Sequence, residues 1–169
     1  MSPNFFHDEK YLRKLGIKCG KNCRIHSTAI ITDPKKLELG NNVRIDAFSL
    51  VISVKKIKIG SYVHVGPYAY LHSGGGKITL ENFAGISAGA KIFTLQDDYS
   101  GKYYHGPFYK KSKISLKTSD IVIKKYCSIN TNAVVTPPAK FGIGCVVGAN
   151  SIVNTSLDSW KIYYGFPLK

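Results

Sequence analysis

The sequence predicts an all-β fold, a left-handed parallel β-helix of about six coils, and two regularities carry this prediction. Aliphatic or similar side chains recur six residues apart within each coil; the first coils carry two or three extra residues at one corner, and one long interruption follows the fourth coil. At thirteen of these eighteen positions the residue two places before is small and uncharged, as a position beside the corner of a triangular coil requires. A short repeat of this kind is typical of a solenoid, in which each coil packs on its neighbours. The sixth positions are Cys19, Ile25, Ile31, Leu39, Ile45, Val51, Ile59, Val65, Leu71, Leu80, Ile86, Ile92, Ile123, Ile129, Val135, Phe141, Val147 and Val153.

The repeat divides most of the chain into two regions, and the second contains an excursion. Residues 1–18 carry a short helical pattern, with Leu12 and Leu15 three apart and Gly16 as a stop signal, and we expect them to cap the open end of the coil. Residues 19–155 form the β-helix. An excursion at about 95–120, rich in Tyr, Gly and Lys and without periodicity, leaves the fourth coil after its third face, and we expect a loop there.

The four cysteines fit the repeat as core residues. Cys23, Cys127 and Cys145 occupy the small inward positions, and Cys19 occupies an aliphatic one. Buried free thiols behave as small apolar side chains. We therefore expect structural free cysteines rather than a metal site or a disulfide set.

Composition limits the functions that are open to the chain. Its 169 residues fit one domain, and 24 basic against 10 acidic residues give a net charge of +14. This charge favours an anionic partner, and without a zinc-finger or basic-helix pattern we expect a phosphate-bearing cofactor or substrate rather than nucleic acid. We find neither a long apolar segment nor a signal peptide, so we expect a cytoplasmic protein without membrane insertion.

Three segments resemble the hexapeptide-repeat acyltransferases, and in particular the branch of sugar O- and N-acetyltransferases of surface-polysaccharide synthesis. They are HSGGGKITLENFAGISAGAKIF, then DDYSG, then the ending SWKIYYGFPLK. The resemblance implies a homotrimer that uses acetyl-CoA as cosubstrate, needs no metal, and closes over the cofactor with residues 156–169. It also implies that the cofactor lies beside Thr131, Ala149, Asn154, Thr155, Lys161, Gly165, Pro167 and Lys169.

The chain departs from the better-known members of that family at the catalytic position, because Asp97 stands where their loop carries a histidine. Acyl transfer to an amine or a hydroxyl is helped by a general base. His72 follows Leu71 at the same edge of the predicted prism as the excursion, so Asp97, Asp98 and His72 form the candidate catalytic group. Asp97 either orients the imidazole or acts as the base itself, and the role of His105 stays open.

Several functions compete. An amine is partly neutral near pH 7 and needs little more than positioning, so the missing histidine and the positive charge favour N-acetylation of a nucleotide-linked amino sugar. O-acetylation of a sugar, as by galactoside acetyltransferases, is the alternative within the family. A non-catalytic scaffold for an anionic ligand is the alternative of another class. A zinc carbonic anhydrase of the same fold would need three histidine ligands at a spacing that we do not find.

Overall fold

The computed structural model describes residues 5–166, and these wind into a parallel β-helix with three faces. The first face carries Lys18–Cys19, Leu37–Leu39, Ile57–Ile59, Ile78–Leu80, Ile121–Ile123, Lys140–Phe141 and Ser156–Leu157. The second carries Arg24–His26, Arg44–Ile45, His64–Val65, Gly85–Ile86, Ser128–Ile129, Val146–Val147 and Ile162–Tyr163. The third carries Ile30–Ile31, Leu50–Ile52, Tyr70–His72, Lys91–Phe93, Val134–Val135 and Ile152–Val153.

The register of neighbouring coils confirms the six-residue repeat. Leu71 pairs in parallel with Val51 of the coil before and with Ile92 of the coil after. Equivalent positions of successive coils therefore form columns, in which neighbouring strands lie about 4.8 Å apart. The small residues beside the corners are buried as predicted, for example Ala69 and Ala90. The all-β solenoid is confirmed. Its left-handed sense, which strand order does not determine, stays a prediction.

The last coil extends the predicted number of turns. Six complete coils lie within residues 5–166, and the strands Ser156–Leu157 and Ile162–Tyr163 add two faces of a seventh. On sequence, residues 156–169 were grouped as a closing loop. The difference arises because Leu157, which is buried like the core residue of any other coil, follows Val153 by four residues instead of six and therefore falls outside the repeat.

The predicted N-terminal cap is present and has two parts. A helix spans Glu9–Lys14 and buries Leu12, and Asp8 caps it by accepting a hydrogen bond from the Tyr11 amide at 3.0 Å. A strand at Phe6–His7 pairs antiparallel with Arg24–His26. This short strand covers the free edge of the second face, where unpaired backbone groups would otherwise be open to other chains.

The excursion is a β-hairpin arm rather than the expected loop. Leu95–Asp97 pairs antiparallel with Leu116–Thr118, and a 3-10 turn spans Lys111–Lys113. The strand Leu116–Thr118 is exposed throughout. An exposed strand of three residues shows no alternation of apolar and polar positions, so the sequence offered no signal for it.

An aromatic column runs along the corner between the first and second faces. Tyr62, Phe83, Tyr126 and Trp160 all have positive φ, between 59° and 65°. Consecutive rings stack with centroids 5.2, 5.3 and 6.1 Å apart. The left-handed conformation is costly for a side chain with a Cβ, and stacking offsets part of that cost.

The cysteines lie in or beside the core. All four thiols are free, and Cys23, Cys127 and Cys145 are buried. Within residues 5–166, no group of three or more His, Cys, Asp or Glu side chains is arranged to hold a metal ion. No helix in the described part of the chain is long and apolar enough to cross a bilayer.

Two glycines provide a test of how tightly the coils stack. A Cβ at Gly60 would lie 2.6 Å from Asn82 Oδ1 and 2.7 Å from the Asn82 amide nitrogen, whereas a Cβ at Gly85 would meet nothing within 4 Å. We expect Gly60→Ala to destabilise the protein by about 1 to 3 kcal/mol through overpacking. Gly85→Ala should be neutral or slightly stabilising. Thermal unfolding at matched protein concentration measures the difference, and equal melting temperatures for the two variants would contradict it.

Candidate active site

The hairpin arm is seated on a glycine run at the corner between the third and first faces. A Cβ at Gly74 would lie 2.4 Å from Leu95 Cδ2, and a Cβ at Gly75 would lie 2.4 Å from the Thr94 carbonyl oxygen. The buried Thr94 hydroxyl accepts hydrogen bonds from the amides of Gly75 and Gly76 at 3.1 and 3.0 Å. The start of the arm is therefore fixed to the body of the helix.

A cleft of about 360 Å³ opens where the arm leaves the third face. It contains the imidazole of His72 and the carboxylate of Asp97, so the structure brings these two predicted residues to one cavity. No hydrogen bond joins them within the described part of the chain. The cleft is lined by His72, Phe93, Leu95, Gln96, Asp97, Tyr99 and Thr136.

His72 is held as a neutral imidazole. Its ring packs beside Tyr70 and Phe93, with ring centroids 5.7 and 6.2 Å away. Its Nδ1 atom is buried and has no hydrogen-bond partner among residues 5–166. Burial lowers the pKa of His72 below its ordinary value, because charging the ring would place an unpaired N–H in an apolar contact.

Asp97 presents a carboxylate that no other group in residues 5–166 engages. The residue is partly buried, ends the first strand of the arm, and makes no side-chain hydrogen bond or ion pair there. It also borders a second cleft of about 270 Å³ on the other side of the arm, together with Pro107 and Leu116. A free carboxylate beside a cavity is able to accept a proton from a bound ligand.

Asp98, the neighbouring candidate, holds the turn of the arm instead. Its Oδ1 atom accepts a hydrogen bond from the Ser100 amide at 2.9 Å, and that bond is the main cause of a pKa below the ordinary value. Its carbonyl accepts from His105 Nε2 at 3.2 Å, and the His105 ring lies edge-on to Tyr99. In the single chain these contacts hold Asp98 and His105 in the turn of the arm.

The predicted cofactor residues do not form one surface in a single chain. Thr131, Ala149 and Gly165 lie at the corner between the second and third faces, and the Gly165 amide donates to Ser151 Oγ at 2.9 Å. Asn154 and Thr155 follow the third face, at its opposite corner. The corner between the first and second faces carries Lys161, which forms an ion pair with Asp158 at 2.9 Å. Pro167 and Lys169 lie outside the described residues.

Sequence reasoning missed most of the cleft wall. Phe93 and Thr136 each follow a core aliphatic of the third face, as His72 does. The same counting of repeat positions that selected His72 could therefore have found Phe93 and Thr136. Tyr99 lies on the arm, outside the repeat, and no periodic signal could have placed it in the cleft.

Comparisons with solved structures and curated proteins agree with the fold. No protein-family model matches the chain. AntD, an N-acyltransferase from Bacillus cereus solved with dTDP and 3-hydroxybutyryl-CoA, is 36% identical; the match covers 99% of this chain and 88% of AntD, with a TM-score of 0.93. A dTDP-4-amino-4,6-dideoxy-D-glucose acyltransferase of Escherichia coli is 29% identical over 96 residues, which span 57% of this chain and 50% of that protein. WcaF of E. coli K12, a putative colanic acid biosynthesis acetyltransferase, is 29% identical over 92% of this chain and 69% of its own length.

These likenesses determine the class of protein. With its three-faced solenoid and the match to AntD over nearly the full length of both chains, the chain belongs to the hexapeptide-repeat acyltransferases.

The state of His72 leads to a pH prediction. An unfolded histidine has an ordinary pKa of 6.5 and the folded one a lower pKa, so below pH 6.5 the unfolded chain binds more protons. Stability is therefore lost as the pH falls below about 6.5. We expect His72→Leu to show a smaller drop in melting temperature between pH 7.5 and pH 5 than the wild type. His105→Gln controls for the removal of an imidazole, and parallel pH profiles for wild type and His72→Leu would be evidence against a neutral, buried His72.

Proposed function

We propose that the protein transfers the acetyl group of acetyl-CoA to the amino group of a nucleotide-linked amino sugar. The observation that carries this proposal is the carboxylate of Asp97 in the cleft, which no group in residues 5–166 engages. The resemblance noted above implies that the better-known members of the family carry a histidine at this position. AntD, the N-acyltransferase that is 36% identical to this chain, has also been solved with dTDP-4-amino-4,6-dideoxyglucose and coenzyme A. Since acyl-CoA and nucleotide-linked sugars are cytoplasmic metabolites, the proposed reaction places the protein in the cytoplasm.

The chemistry needs one proton acceptor. The neutral amine of the sugar attacks the thioester carbonyl carbon, a C–N bond forms, and the C–S bond breaks with CoA leaving as the thiolate. The nitrogen must lose one proton, which the Asp97 carboxylate accepts and passes to the departing sulfur. His72 lies in the same cleft and is the other candidate base, although burial lowers the pKa of its ring below the value of an ordinary histidine and so makes it a weaker proton acceptor than a free imidazole.

A second residue of the proposed centre follows from AntD. That enzyme has been solved as variants of one aspartate and one serine that lie ten positions apart in its chain. In the present sequence only Ser87 and Asp97 have this spacing. We assign Ser87 to the acceptor site with Asp97.

Ser87 and Asp97 cannot meet within one chain, which supports a shared site. Ser87 lies at the corner between the second and third faces, and Asp97 lies beyond the third face. The intervening strand and turns are on the order of 15 Å long at about 3.3 Å per residue. A neighbouring copy would bring its Ser87 to the Asp97 arm, and would likewise join Thr131 and Ala149 of one copy to Asn154 and Thr155 of the next.

The outward side of the third face supports a homotrimer. It is mostly apolar, with one lysine, whereas the first face presents mainly charged side chains such as Lys58 and Lys140. A contact between unlike edges of a triangular prism closes into a ring by cyclic symmetry, and we propose three copies. The outward residues of the strands of the third face are Ile30, Leu50, Ile52, Tyr70, His72, Lys91, Phe93, Val134 and Ile152.

Asp97→Asn tests the base. We expect kcat/KM for a dTDP-linked amino sugar to fall by about 10²- to 10⁴-fold, mainly in kcat, because the amide cannot accept the proton. Release of CoA thiol measures the rate. Asp98→Asn is the matched control, since asparagine is able to keep the turn to Ser100, and its rate should stay within a few-fold of wild type. An unchanged rate in Asp97→Asn would rule out Asp97 as the base, and turnover of hydroxyl acceptors alone would replace N-acetylation with O-acetylation.

Two valines of the fifth coil test the assembly. Val134 faces outward on the third face and Val122 on the first, and both are partly exposed. We expect Val134→Glu to dissociate the oligomer, because each copy would bury a charge at the contact, and to reduce activity. Val122→Glu should elute as wild type. Light scattering coupled to gel filtration gives the mass, and a wild-type monomer, or a Val134→Glu trimer, would contradict the proposed interface.

A further inference from the structure

A buried carboxylate on the second face organises two cationic or potentially cationic side chains. Asp46 is only 8% exposed. Its Oδ1 atom accepts from Arg44 Nε at 2.6 Å and its Oδ2 atom accepts from His64 Nε2 at 2.6 Å. Burial alone would raise the pKa of Asp46, but the hydrogen bonds from His64 and Arg44 outweigh it and the pKa lies below the ordinary value. The carboxylate is charged and holds both partners in place.

Within residues 5–166, Arg44 keeps its terminal N–H donors free, and both partners stay open to the outside. The side chains of Arg44 and His64 remain 57% and 58% exposed. Arg44 uses Nε toward Asp46, and its guanidinium carbon lies 4.8 Å from the centre of the Phe6 ring. The terminal guanidinium nitrogens therefore present fixed N–H donors, the arrangement that suits a phosphate group.

A notch lies directly beside this cluster. Gly85 lies on the coil after that of His64 and pairs with His64 in register. At the position equivalent to Gly85, other coils carry Arg44, Ser128 or Val146. A Cβ added to Gly85 would meet nothing within 4 Å, and its φ lies outside the left-handed region, so neither packing nor backbone conformation requires glycine. Glycine weakens a strand, and an unrequired glycine marks a place where a ligand approaches the backbone closely.

We propose that Arg44, His64 and the Gly85 notch bind the diphosphate of the nucleotide-linked sugar, with Asp46 as the positioning residue. This inference rests on the proposed function. Ser87 follows Gly85 by two residues, or about 7 Å of extended strand, which leaves room for one sugar ring between the diphosphate and the reacting amine. The acceptor then enters from the N-terminal coils, and CoA from the C-terminal coils that carry Thr131 and Ala149.

Binding of dTDP and of UDP, measured by isothermal titration calorimetry, tests the site with defined probes. We expect Arg44→Gln to raise the Kd for whichever of the two nucleotides binds more tightly by about ten- to a hundredfold. This is the range for a lost hydrogen bond to a charged group. Gly85→Leu, which has room in the folded chain, should weaken it comparably. Lys58→Gln is the matched control: it removes an exposed charge from the first face of the same coil as His64, and should leave affinity within about twofold.

Asp46→Asn separates positioning from simple charge. If only the net charge mattered, removing a negative charge would tighten binding of an anionic nucleotide. The proposed role predicts weaker binding, with KM for the nucleotide-linked sugar raised and KM for acetyl-CoA unchanged. Tighter or unchanged binding in Asp46→Asn would remove Asp46 from the site.

The outcomes distinguish this inference from the proposed function. If wild-type protein binds neither dTDP nor UDP and releases no CoA thiol with any nucleotide-linked amino sugar, the proposed function fails. If wild type binds a nucleotide and Arg44→Gln and Gly85→Leu bind it equally well, the function stands and the inference is overturned. Each variant is first compared with wild type by gel filtration, and Arg44→Gln decides the matter where Gly85→Leu alters the assembly.

Discussion

Close stacking of the coils is the constraint on which the rest of this structure depends. Columns of equivalent residues repeat about every 4.8 Å, and a Cβ at the corner glycines would stand less than 3 Å from the backbone of the next coil, as at Gly40 and Gly66. The same spacing lets hydroxyl and amide side chains cap the next coil, as Asn82 Oδ1 does by accepting from the Ser61 amide at 2.8 Å. A chain bound by such contacts has little freedom inside the prism. Its variation, and therefore its chemistry, is confined to outward columns, corners and the one arm.

That constraint explains why so much of the fold was predictable from the sequence. The core and corner columns follow a strict period, so their spacing alone places Ile45 and Ala84 in the interior. Elements outside the period were predicted poorly. The hairpin arm was expected to be a loop, and the antiparallel strand Phe6–His7 was not expected, because two or three residues of strand carry no periodic signal.

The candidate site also has a part that the repeat predicts and a part that it does not. His72 is in the cleft because its column position follows from Leu71, and the position of the arm follows from where the repeat breaks. Whether an aspartate accepts a proton or holds a turn depends on contacts that no period encodes. The Asp98 carboxylate accepts a hydrogen bond from the Ser100 amide, whereas the Asp97 carboxylate next to it has no partner in residues 5–166. The Arg44 and His64 pair was readable in principle, since each directly precedes a core aliphatic on one face, but only the structure shows that a buried Asp46 joins them.

The distribution of charge along the second face gives the proposed reaction a direction. Arg24, Arg44 and His64 occupy its outward positions in the first three coils, and glycine, serine and valine occupy them in the next three. Two anionic substrates that entered the same end would repel each other, at an unscreened cost that grows as water is displaced from between them. In the proposed arrangement separate ends would avoid this, because the cationic end would take the diphosphate and the end with small side chains would leave space for a long thioester arm. The reacting amine and the carbonyl would then meet near Ser87, midway along the prism, where the third face of a neighbouring copy would supply the carboxylate of Asp97.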